Sequence, residues 1–200
     1  MLTKTLLIVL GNLIFLYIFW SRLKEDYQSQ NIFSAAVYIL LSATVFYQLA
    51  RYFTPPFWFW IVIVGILVGF GVAVLRFGFR LTETMDALII SLLPLEALVF
   101  INDYINTNNA ESLIALFVVL ALILLYFLFN AHYKKFTWYK SGRIGFSGLA
   151  VLGFFFLARS LFASLNFFMV SFSGKYEVYL SSVSAFISFL ILFNLARKGT

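Results

Sequence analysis

The sequence has no cysteine, one histidine and three prolines in 200 residues. Without cysteine there is no disulfide framework, no thiol nucleophile and no cysteine-ligated metal. His132 has no second histidine or cysteine to complete a metal site, so neither a metal nor another cofactor is expected. Charge is scarce too: 11% of residues are Asp, Glu, Lys or Arg, against about 25% in a soluble domain. What is abundant is apolar, 63% of the chain, with 20% aromatic and a mean hydropathy of +0.99. Such a chain lacks the polar surface to cover itself in water. The same numbers exclude disorder and collagen. An all-α integral membrane protein is the class that remains, with residues 1–200 forming a single transmembrane domain.

The net charge of +6 does not indicate a nucleic-acid partner, because the basic residues punctuate apolar runs instead of forming a patch. A spanning helix needs about 20 mostly apolar residues. Seven segments qualify, at roughly 5–20, 32–50, 57–79, 84–105, 111–131, 144–165 and 177–196. Short breaks separate them, among them Tyr52–Pro56 and the asparagine-rich Asn106–Asn109, so a compact bundle of mostly antiparallel neighbours is expected. The first segment has a basic start at Lys4 and an apolar stretch, as a signal peptide would. No small-residue cleavage motif follows it, and Arg22 and Lys24 come next, so a retained helix is the reading.

Lysine and arginine orient the bundle. Arg22, Lys24, Arg76, Arg80, Lys134, Lys135, Lys140, Arg143, Arg197 and Lys198 fall on one side; Lys4, Arg51, Arg159 and Lys175 fall on the other. Positive charge concentrates on the cytoplasmic side, which puts the N-terminus outside and the C-terminus in the cytoplasm. Tyr27, Tyr133, Trp138 and Tyr139 match an inner interfacial belt, and Trp58 and Trp60 an outer one. Gly65, Gly69 and Gly71 form a small-residue stripe suited to close helix packing.

The charges that topology does not explain are the candidates for function. Arg159 lies about 20 Å into the sixth span, at 1.5 Å per residue, level with Asp103 and Glu111. An ionisable group at that depth is functional by default. Three readings stand open: Arg159 paired with Asp103 or Glu111 to lock helices, Arg159 as a fork for a lipid phosphate, or a snorkelling side chain with no fixed partner. Asn106 belongs to the same cluster, either ending a helix or offering hydrogen bonds to a headgroup. Glu96, two residues after Pro94, is expected to bond Ser91 or a carbonyl freed by the proline. Asp86 is expected to cap the fourth helix. No lysine lies inside a predicted span, which excludes a retinal-type Schiff base. No Ser-His-Asp set, phosphate-binding glycine loop or arginine ladder is present.

Order and spacing resemble the prolipoprotein diacylglyceryl transferases. The matching pieces are Gly11 to Asp26, Arg76 to Pro94, Phe100 to Asn106, Ala110 to Leu113, and Gly145 to Leu165 with Arg159. The resemblance implies a seven-helix protein of the bacterial cytoplasmic (inner) membrane, with the topology derived above. It implies transfer of diacylglycerol from phosphatidylglycerol to the lipobox cysteine of a preprotein, releasing glycerol phosphate. Only Glu111, Asn106 and Arg159 match family residues in type. The family's histidine motif at the start of the third helix corresponds to Trp60, Ile61 and Val62, and its fourth-helix arginine to Phe100. Loss of a phosphate fork and a base removes several kcal/mol of transition-state stabilisation. A divergent transferase and a non-catalytic protein that binds phospholipid or a partner are therefore the two expectations.

Overall fold

The computed structural model describes residues 2–135, 139, 144–167 and 169–197. Of the residues used to orient the bundle, Trp138, Lys140, Arg143 and Lys198 lie outside that set, as do the side chains of Lys4 and Lys135. Among the described residues there is no strand, and seven helices are long and apolar enough to cross a membrane. They are α1 (Leu2–Leu23), α2 (Ser29–Phe53), α3 (Trp58–Phe77), α4 (Leu81–Thr107), α5 (Ala110–His132), α6 (Phe146–Ser164) and α7 (Tyr176–Arg197). Each expected span is present, and the edges differ by up to a few residues.

Local chemistry sets the breaks. Pro55 and Pro56 open a short 3-10 turn after α2, where a missing N–H costs nothing. Gly78, at φ +66°, ends α3, and its N–H donates to the Val74 carbonyl at 3.0 Å. That left-handed cap suits glycine because it has no Cβ. Asn108 closes α4 in the same conformation, and the Asn109 side chain accepts the Glu111 N–H at 3.0 Å to begin α5. The asparagine stretch thus ends one helix and caps the next.

The helix α4 is the centre of the bundle, packing against α1, α5 and α6, while α2 lies along α3 and α7 along α6. Two of the three stripe glycines mediate the α2–α3 contact. A Cβ at Gly69 would sit 2.7 Å from the Tyr38 carbonyl oxygen, and one at Gly65 2.6 Å from Phe46. Gly71 faces open space, so the stripe is shorter than its spacing suggests. Ser42 strengthens the seam by donating to the Gly65 carbonyl at 2.7 Å. Large apolar side chains such as Leu13, Leu67, Leu124 and Phe186 remain exposed on the outer surface, as a lipid-facing surface requires.

Several of the aromatic residues expected at the belts pack inside the bundle. Tyr133 and Tyr139 lie with Phe146 in a buried cluster. Trp58 donates to the Val170 carbonyl at 3.2 Å, and Trp60 stacks on Phe156 with ring centres 5.6 Å apart. Aromatic rings fill the space between α3 and α6, with Phe59 also against Phe155.

Candidate functional site

Two buried polar centres occupy opposite ends of the bundle. The first forms where α6 ends and α7 begins. Arg159 stands near the end of α6, 4% exposed, and Glu177 in the first turn of α7, fully buried. The Arg159 Nε and Nη2 reach Glu177 Oε1 at 2.9 and 2.8 Å. Nη1 donates to the Ser171 hydroxyl at 2.8 Å, and Nη2 to the Ser171 carbonyl at 2.9 Å. Every nitrogen of the guanidinium therefore meets an acceptor within the chain. The carboxylate is as fully used: Oε1 also accepts from Ser181, and Oε2 from Trp60 Nε1 at 3.0 Å and from the N–H and hydroxyl of Ser173. The guanidinium carbon lies 3.7 Å from the centre of the Phe59 ring and 5.0 Å from that of Phe172. Aromatic faces above a buried cation add attraction where water is absent.

This geometry corrects the expected partners. Arg159 pairs with Glu177 and Glu96, and neither Asp103 nor Glu111 is the acid that meets it. Asp103 instead accepts from the Ser112 hydroxyl, tying the end of α4 to the start of α5. Asn106 bonds back to the Asn102 carbonyl on its own helix, and Glu111 sits in the first turn of α5. Glu96 does not bond Ser91, whose hydroxyl returns to the Ala87 carbonyl at 2.6 Å. It lies 3.6 Å from Arg159 Nη1, and among the described residues its buried Oε1 has no hydrogen-bond partner. Of the five candidate residues, Arg159 and Glu96 form an ion pair.

The second centre lies where α1 ends and α4 and α6 begin. Asp86, 2% exposed, pairs with Arg22 at 2.9 Å, accepts from the Tyr126 hydroxyl at 2.5 Å, and takes the Gly148 N–H at 2.7 Å. It is not a cap: α4 begins at Leu81, and Asp86 faces inward to clasp α1, α5 and α6. Arg22, read above as a topology mark, also donates to the Asn130 side chain at 3.2 Å and lies over the Tyr126 ring. Tyr133, just beyond α5, borders this centre. Burial first, and then the Asp86 carboxylate, push its hydroxyl above the ordinary range, so it stays protonated at neutral pH.

Sequence reading missed Glu177, Ser171 and the role of Trp60. The available signal was the α6–α7 turn. Arg159 and Glu177 flank it at a separation of 18 residues, which returns both to one level of the bundle. Among the described residues, no group of three or more His, Cys, Asp or Glu could hold a metal ion. Set against family models, curated proteins and solved structures, the chain matches none.

Proposed function

We propose that this chain is a non-catalytic multi-pass protein of the bacterial cytoplasmic membrane, built on a scaffold like that of the prolipoprotein diacylglyceryl transferases. It binds phospholipid or a protein partner without transferring diacylglycerol. One observation carries the reading: the Arg159 guanidinium is fully committed to Glu177 and Ser171 and covered by Phe59. A phosphate fork needs donors pointing at open space, and here they point at the chain's own oxygens. Two further positions support it. Phe100, at the place of the family's arginine, is buried in the apolar core. Trp60, at the place of its histidine, donates to Glu177, and its indole nitrogen has no free lone pair with which to accept a proton as a base.

The N-terminus lies outside and the C-terminus in the cytoplasm. Support comes from the basic residues at the Arg22 end, with Lys175 at the other. A cysteine replacing exposed Lys175 will be labelled by an impermeant maleimide from outside, and one replacing exposed Lys24 will not. The reverse pattern would invert the assignment.

Purified protein incubated with labelled phosphatidylglycerol and a lipobox peptide will leave the label on the lipid. Transfer to the peptide thiol that Arg159→Ala abolishes would restore the enzyme reading.

A further inference from the structure

At the Arg22 end a cavity of about 200 Å³ opens between α1, α4 and α5, with Arg22, Asp86, Asn130 and Tyr133 in its wall. Three donors there are unused. Arg22 binds Asp86 and Asn130 through Nη2 alone, and among the described residues its Nη1 makes no hydrogen bond. The Asn130 amide contributes only its oxygen, and the hydroxyl of Tyr133, a residue 7% exposed, has no hydrogen-bond partner among the described residues. Arg22 and Asn130 are part-exposed, so these donors face the cavity and its mouth. A guanidinium, an amide and a phenol left open on one cavity suit the oxygens of a phosphate ester.

The rim has the opposite character. Glu25, Asp26 and Glu83 also line the cavity. Arg22 balances Asp86, and Arg80 pairs with Glu83 at 3.0 Å. Glu25 and Asp26 are exposed and form no ion pair among the described residues. Neighbouring Lys24 lies over the Trp20 ring, 5.0 Å from its centre, and does not pair with them. Two exposed carboxylates with no ion pair among the described residues repel a bare phosphate and attract a cation tethered to it. A metal ion fits poorly, since no group of three acidic or histidine ligands exists among the described residues.

We infer that this cavity binds a phosphate ester carrying a primary ammonium group, as in the phosphoethanolamine headgroup of a phospholipid. The phosphate sits against Arg22, Asn130 and Tyr133, and the ammonium against Glu25 and Asp26. Size agrees: the cavity falls below the roughly 300–1,000 Å³ of sites for whole drug-sized ligands. It holds about six or seven waters at ~30 Å³ each, room for a headgroup but not its acyl chains. Ile144, 41% exposed at the edge, offers the chains an apolar exit. The inference rests on the phospholipid-binding reading above and names its ligand class.

The test uses the full chain in detergent and three probes: dihexanoyl-phosphatidylethanolamine, dihexanoyl-phosphatidylglycerol and soluble O-phosphoethanolamine. Titrations are read by native mass spectrometry. The ethanolamine lipid will bind at least tenfold more tightly than the glycerol lipid. The exposed pair Glu25→Gln/Asp26→Asn will erase that preference without lowering the unfolding temperature, and Tyr133→Phe will weaken both lipids several-fold. Equal binding of the two lipids, no binding of either, or a preference that survives the double substitution would overturn the inference. Binding of O-phosphoethanolamine as tight as the lipid supports the site with a soluble ester as occupant; weak binding assigns the lipid. A diacylglyceryl transfer assay reports on the other reading independently, so the two failures are distinguishable.

Discussion

Arg159 and Arg22 each meet a buried carboxylate, at 2.8 and 2.9 Å, yet the two centres behave as opposites. Around Arg159 both partners are saturated and buried, and phenylalanine rings close the space. Around Arg22 the carboxylate is saturated while the guanidinium, 30% exposed, keeps donors for a cavity. The difference teaches that burial of an ion pair says little about function by itself. What separates a lock from a site is whether hydrogen-bonding capacity remains and whether space adjoins it.

Stability measurements can break this comparison. The largest effect is expected for Glu177→Ala, which strands Arg159 in a buried pocket and orphans Trp60, Ser173 and Ser181. A loss of about 3–5 kcal/mol is expected, read as unfolding in mixed micelles; a loss under about 1 kcal/mol would show that water reaches the centre. Asp86→Ala should cost less, about 2–3 kcal/mol. Arg22 can turn toward solvent, so the loss comes from the Tyr126 hydroxyl and the Gly148 N–H. Should Asp86→Ala prove the costlier of the two, the ranking of closed and open centres is reversed.

Finer tests sharpen the contrast. Tyr126→Phe removes one hydrogen bond to Asp86 and should cost about 1 kcal/mol on the same unfolding curve, with the ion pair intact. Glu96→Gln should be the mildest, under about 1 kcal/mol in either direction. Its Oε1 already lacks a hydrogen-bond partner among the described residues, and its ion pair is long, at 3.6 Å. A large loss there would make Glu96 a full member of the Arg159 lock.

Much of the scaffold was legible. Apolar length located all seven helices, and Pro55 and Asn108–Asn109 fell in the expected breaks, whereas the third span was drawn through Gly78, the residue that ends α3. The depth of Arg159 drew attention to a residue that proves to be buried and ion-paired. Its partner was not legible, because choosing among Glu96, Asp103, Glu111 and Glu177 requires the rotation and neighbour order of each helix. Spans apolar on nearly every side carry no face from which to read rotation. Asp86 was misread for a related reason. Its position suggested a cap, but α4 begins five residues earlier at Leu81 and turns that carboxylate inward.

The Asp86 clasp also has an order in time. Its partners come from distant parts of the chain: Arg22 lies 64 residues before it and Gly148 62 residues after. At about 5–20 residues per second of synthesis, Gly148 follows Asp86 by roughly 3–12 s. Until Tyr126 is made, 40 residues after Asp86, the carboxylate has only the earlier partner, so Arg22 escorts Asp86 into the membrane and α5 and then α6 close the clasp afterwards. A chain truncated before Gly148 should therefore still insert α4, whereas one lacking Arg22 delivers an unescorted charge.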